Sequence, residues 1–125
     1  MIRYTLSILV LLVFTSCYQP ERNCKDYKNG KFTFDYMIDS VALTGVFTRH
    51  DDLSIEYYEG KIDSSTVRWI NDCEYIVKKI NPKNMAEEKP VHIKILTTTD
   101  NSYTFEFSIV GNNKTKSKGT AIKTN

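Results

Sequence analysis

Missing from this sequence is any apolar run long enough to cross a bilayer as a helix. The longest such run, Leu6 to Phe14, stops well short of the about 20 residues that roughly 30 Å of hydrocarbon requires. Histidine is scarce, and His50 and His92 stand nowhere near metal-ligand spacing. The three cysteines form no Cys-x-x-Cys pair, which leaves a thioredoxin-type redox site without basis. The five glycines supply neither a phosphate-cradling loop nor a Gly-x-Ser-x-Gly elbow. Neither sign of charge dominates: 17 Lys and Arg face 15 Asp and Glu, a formal net charge of +2 that gives no electrostatic footprint for nucleic acid. These absences leave catalysis without positive support. No enzyme activity, metal or cofactor is expected.

What is present begins with a targeting layout. Arg3 precedes the apolar run, and Thr15 and Ser16 lead into Cys17, as in a signal peptide followed by a cut. The stretch resembles a bacterial lipobox, in which a cysteine after two small residues receives a diacylglycerol thioether and becomes the new N-terminus. Where that pattern prefers Leu, this chain has Phe14. The resemblance implies that residues 1–16 are removed and that Cys17 is lipidated. Each buried acyl methylene then contributes about 0.8 kcal/mol to holding the chain at a membrane. The alternative is an ordinary secretory signal with a cysteine near its cut. Tyr18 is not the Asp that retains some lipoproteins at the inner membrane, so the same resemblance implies a bacterial cell envelope location at the outer membrane.

Loss of residues 1–16 leaves 109 residues, enough for one domain with a core and too few for two. In an oxidising compartment Cys24 and Cys73 form an even pair for a disulfide, with two free buried thiols as the alternative. Residues 17–27 are polar and read as a lipidated tether, and 28–125 as the domain.

Within that domain apolar residues recur at every second position. Phe32, Phe34, Tyr36 and Ile38 do so, then Leu53, Ile55 and Tyr57, then Val91, Ile93 and Ile95, then Tyr103, Phe105, Phe107 and Ile109. Turn residues such as Asn29-Gly30, Glu59-Gly60, Asn71-Asp72 and Gly111-Asn112-Asn113 punctuate the runs about every ten residues. Short links of this kind join antiparallel neighbours. The expected fold is all-β: a meander of about eight strands forming a closed or partly open small barrel, with a β-sandwich as the alternative. The strands are expected at Lys31–Ile38, Val41–Arg49, Leu53–Tyr58, Lys61–Ile70, Cys73–Ile80, Val91–Thr98, Ser102–Val110 and Lys114–Lys123. The link Asn81 to Pro90 is the long one, with room for one helical turn over Met85 to Glu88. Lys114, Lys116 and Lys118 read as a solvated edge that discourages unwanted pairing. Glu56, Glu74 and Glu106 alternate with apolar residues and are expected in solvent.

The lipobox, Asn23-Cys24-Lys25-Asp26, Trp69-Ile70-Asn71-Asp72-Cys73-Glu74-Tyr75 and Asn81-Pro82-Lys83-Asn84-Met85 together resemble a family of small, uncharacterised bacterial lipoproteins. The likeness spans almost the whole mature chain. Some sequences of this sort carry the name DNA topoisomerase IV. These residues do not fit it, because such an enzyme needs a far longer chain, an active-site tyrosine beside a carboxylate metal site and an ATPase module. The meander is similar to lipocalin-like barrels in architecture alone.

Two functions are expected to compete. One is a non-catalytic interaction or structural module with a filled core, presenting Met85, Glu87 and Glu88 to an envelope protein partner. The other is binding of a small apolar or amphipathic ligand, with Trp69, Tyr75, Phe105 and Phe107 as lining. For Trp69 the favoured reading is a core residue packed against a Cys24–Cys73 bridge, with ligand lining as the alternative. The filled core carries the slight preference, since protein interiors are close-packed.

Overall fold

In the computed structural model, residues 22–38, 40–112 and 116–124 are described, without the side chains of 36–38. The signal segment and Cys17 lie outside these residues, as does Lys114. Eight antiparallel strands follow one another in chain order: β1 Gly30–Ile38, β2 Val41–His50, β3 Leu53–Tyr58, β4 Lys61–Asn71, β5 Glu74–Lys79, β6 Val91–Thr98, β7 Ser102–Ile109 and β8 Ser117–Lys123. Each pairs with the next, and β8 returns to β1, so the meander closes into a barrel rather than a sandwich. Period-2 alternation explains this, because one face of every strand can turn inward at once.

The turns are tight where the chemistry permits left-handed backbone. Glu59 and Gly60 join β3 to β4 in two residues, both at positive φ (48° and 72°), the geometry that matches strand twist in a hairpin. Residues 81–90 form no helix; Met85 to Glu88 make a turn, with the Lys89 amide donating to the Ala86 carbonyl at 3.4 Å.

The odd-numbered turns (β1–β2, β3–β4, β5–β6, β7–β8) gather at one end of the barrel and the even-numbered ones at the other. Beneath the second end packs the segment Arg22 to Asn29, much of which reads as tether in the sequence. It contains a short 3-10 turn, Cys24–Tyr27, whose Cys24 and Tyr27 are buried. Arg22 Nη2 donates to the Ile95 carbonyl at 3.0 Å, the Asn23 amide to Thr98 Oγ1 at 2.8 Å, and the Tyr27 hydroxyl to the Thr99 carbonyl at 2.6 Å. Cys24 and Cys73 are bonded, Sγ to Sγ 2.02 Å, fixing this segment to the β4–β5 turn. This end is closed. Its core is aromatic: Tyr27, Phe32, Tyr75 and Tyr103 pack with Val67, Ile95 and Ala121.

Strand β3 departs from the expectation. Leu53 and Tyr57 are exposed, while Ser54 is buried and Glu56 faces inward. Register dictates this, because Ser54 pairs with Arg49 and Glu56 with Phe47, both inward residues of β2. A small residue at 54, facing Ser65 across β4, leaves room for the Arg49 side chain. The lysine edge is also corrected. In a closed barrel β8 pairs with β7 along Ser117–Ile122 and with β1 over Phe32–Phe34. Lys116 forms an ion pair with Glu106 at 3.4 Å.

Candidate functional site

Above the aromatic core the barrel is hollow. A chamber of about 560 Å³ fills its upper half, so the filled interior expected from packing density is not what the fold provides. That volume lies within the about 300–1,000 Å³ of small-molecule pockets.

The floor is built by Arg49, which is only 3% exposed. Its guanidinium carbon lies 4.7 Å from the Tyr75 ring centroid, 5.0 Å from Phe32 and 5.5 Å from both Phe47 and Trp69. Such faces attract a cation through their quadrupoles. From below, Nη2 donates to the Tyr27 carbonyl and Nε to the Lys28 carbonyl at 3.3 Å; Nη2 also reaches the Tyr103 hydroxyl at 3.4 Å. Burial loosens the proton of Arg49, but the tyrosine oxygens outweigh it and its pKa moves up, so the group is a cation. Burial pushes Tyr103 well above the usual phenol range, keeping it neutral. Its hydroxyl shares a 3.3 Å hydrogen bond with that of Tyr75. Among the described residues no carboxylate comes within ion-pair reach of Arg49.

The walls are apolar. Val77, Ile93, Phe34, Phe47 and Phe105 surround the middle of the chamber. Two of the rings stand where they do because the residue opposite is glycine. Phe34 pairs with Gly45 and Phe105 with Gly119. A Cβ at Gly45 would sit 2.5 Å from Phe34 Cζ, and one at Gly119 would sit 2.8 Å from Phe105 Cζ. Each ring thus occupies its neighbour's side-chain space and leaves the centre empty.

At the rim Lys79 bridges two carboxylates, Asp63 at 3.3 Å and Glu87 at 3.1 Å. Glu87 also accepts from the Lys83 amide at 2.7 Å, and the Tyr58 hydroxyl donates to Asp63 at 2.5 Å. Hydrogen bonding from the Lys83 amide holds Glu87 below the usual carboxylate range, as the Tyr58 hydroxyl does for Asp63. These bonds draw the 81–90 loop over the opening. Glu56, expected in solvent, borders the chamber instead; burial raises its pKa, with Lys79 opposing and Asp63 reinforcing. The wall also has a lateral seam. The β1–β8 ladder ends at Phe34–Ala121, and past it Asp35, Lys118 and Thr120 reach the chamber although they belong to the outer phase of their strands.

Of the residues expected to line a ligand site, Tyr75, Phe105 and Phe107 do so. Trp69 does not: it packs against the core, 4.5 Å from the Tyr75 ring, with Lys28 Nζ 5.1 Å from its own. Of the loop residues, Met85 and Glu88 are exposed, whereas Glu87 is tied to Lys79. Glu74 and Glu106 lie on the outer faces of their strands, Glu74 3.2 Å from His92. Sequence reasoning missed Arg49, although its phase gave the signal: it shares the inward face of β2 with Phe47. Among the described residues no group of three or more His, Cys, Asp or Glu stands close enough to hold a metal ion.

No family model matches the chain, and no curated protein matches it.

Proposed function

We propose that this protein is a lipid-anchored envelope module that carries one small amphipathic molecule inside its barrel. The observation that supports this best is the chamber of about 560 Å³, walled by apolar side chains and floored by polar groups. An unfilled apolar space costs stability in proportion to its volume, so a chain that keeps one open gains nothing from it in the absence of an occupant. The anchor at Cys17 and the outer-membrane location belong to the proposal through the lipobox resemblance.

The test is a titration of the purified full chain with N-phenyl-1-naphthylamine, a neutral apolar dye that brightens on leaving water. Saturable one-to-one brightening is expected, together with its loss in Val77→Phe, which fills the chamber from its wall. Absence of binding to folded wild-type protein would overturn the reading. A native mass spectrum from mild detergent adds the anchor: a lipid mass on Cys17 is expected, and a bare Cys17 would remove the membrane from the proposal.

A second reading is presentation of the 81–90 loop to an envelope protein, favoured by Met85, which is 80% exposed at that rim. Cross-linked pull-down with Met85→Ser and Glu88→Gln tests it. Recovery of the same partners at wild-type yield would end that reading.

A further inference from the structure

The chamber's charges are arranged unequally along its depth, and this asymmetry bears on what it holds. At the rim the cation Lys79 is already matched by Asp63 and Glu87. Glu56 and Asp35 add further acidic groups along the wall and seam, while Lys89 and Lys118 are exposed to solvent. At the floor stands a buried guanidinium with no carboxylate beside it among the described residues. Its Nε and Nη2 are held by carbonyls from below, whereas Nη1 donates to no carbonyl or carboxylate among the described residues. Two hydroxyls, those of Tyr75 and Tyr103, border the same floor.

A buried charge is costly unless paired and hydrogen-bonded. Aromatic faces and carbonyls offset part of that cost for Arg49 without neutralising it. A ligand whose head brings one negative charge would complete the pairing, and charge-assisted hydrogen bonds from a guanidinium are among the strongest available. The apolar belt of Phe34, Phe47, Val77, Ile93 and Phe105 lies between floor and rim, so the remainder of such a ligand is hydrocarbon or aromatic. A single buried cation matches a monoanion; a phosphate dianion would leave one charge uncompensated.

We propose that the chamber is a site for an amphipathic carboxylate, bound head-down with its carboxylate on Arg49 and the Tyr75 and Tyr103 hydroxyls, and its apolar body within the phenylalanine belt. This rests on the reading of the chamber as a ligand site and adds the ligand's chemical class and orientation.

Four probes with the same ten-carbon chain decide it: decanoate, decyl phosphate, decanol and decyltrimethylammonium. Each is used to displace N-phenyl-1-naphthylamine from the wild-type full chain at pH 8 and low ionic strength. Decanoate is expected to displace the dye at tenfold or more lower concentration than decanol, with the ammonium weakest. Decanoate and decanol of equal potency would overturn the head-down carboxylate while leaving the chamber as an apolar site. Decyl phosphate tighter than decanoate would overturn the monoanion assignment. A dye that does not bind at all would overturn the underlying reading instead. In Arg49→Met the ratio of decanoate to decanol potency should fall to about one; a ratio kept at tenfold would overturn the role of Arg49. Should that variant fail to fold, Tyr75→Phe provides the same readout, and an unchanged ratio there would remove the hydroxyl from the site. Carboxyl-labelled decanoate gives an independent signature, since its ¹³C resonance should move on binding and stay ionised to lower pH than in water.

Discussion

Reduction of the Cys24–Cys73 bond is the perturbation whose size follows most directly from the fold. The two cysteines are 49 positions apart, and cross-linking a loop of that length removes about 4 kcal/mol of chain entropy from the unfolded state at 25 °C. A domain of this size has about 5–15 kcal/mol in all. The native side matters as well, because the bond secures the segment whose Tyr27 and Lys28 carbonyls accept from Arg49. The assay is urea denaturation with and without reductant, followed by the fluorescence of Trp69, the only tryptophan and a close neighbour of Tyr75. At a slope of about 2 kcal/mol per molar, the midpoint should fall by roughly 2 M. Dye binding in native buffer should weaken in parallel, as the chamber floor loosens. An unchanged midpoint on full reduction would refute the reasoning. It would mean that noncovalent ties such as Arg22 to the Ile95 carbonyl and Tyr27 to the Thr99 carbonyl close the barrel by themselves.

Other outcomes follow from single positions. Gly119→Ala should drive the Phe105 ring into the chamber, lowering dye affinity severalfold while costing at most about 1–3 kcal/mol of stability, as overpacking does, because empty space receives the ring; titration and denaturation of the same sample check both. Ile95→Ala removes a fully buried side chain remote from the rim and should cost about 2–5 kcal/mol in the same denaturation experiment. Burial raises the folded-state pKa of Glu56, so folding favours its protonated form. Its stabilising contribution is present below the unfolded pKa and is lost as pH rises through the folded one. Glu56→Gln should therefore gain stability relative to wild type at neutral pH and lose that advantage in acid; equal effects at both would contradict the assignment. Lys79→Met should leave Asp63 and Glu87 facing each other without their cation, and hydrogen exchange of the 81–90 amides should quicken.

The strands and their order were legible because period-2 runs and turn residues act locally, and a meander with short links has few other ways to pair. The disulfide was legible by count. The inversion of β3 was not, because Leu53, Ile55 and Tyr57 alternate as well as any buried set; only the register against Arg49 and Phe47 turns Ser54 and Glu56 inward. The hollow was equally hidden. It depends on two glycines facing two phenylalanines across strand pairs, and nothing near Gly45 or Gly119 in the chain names its partner. Trp69 and Tyr75 flank one turn, which offers both as lining, while Trp69 reads more readily as core. They pair across it, yet Tyr75 reaches the chamber and Trp69 packs on the core side.

The packing of Arg22 to Asn29 beneath the barrel also sets a leash. Only five residue steps separate Cys17 from Arg22, and so short a stretch spans at most about 18 Å. With a lipid on Cys17, the closed end would be moored close to the bilayer and could not swing far from it. The opening, on the opposite side, would look away from the lipid in which the protein is rooted. A cargo would then be exchanged with whatever approaches from the aqueous side, and the protein's own membrane would be its mooring rather than its source.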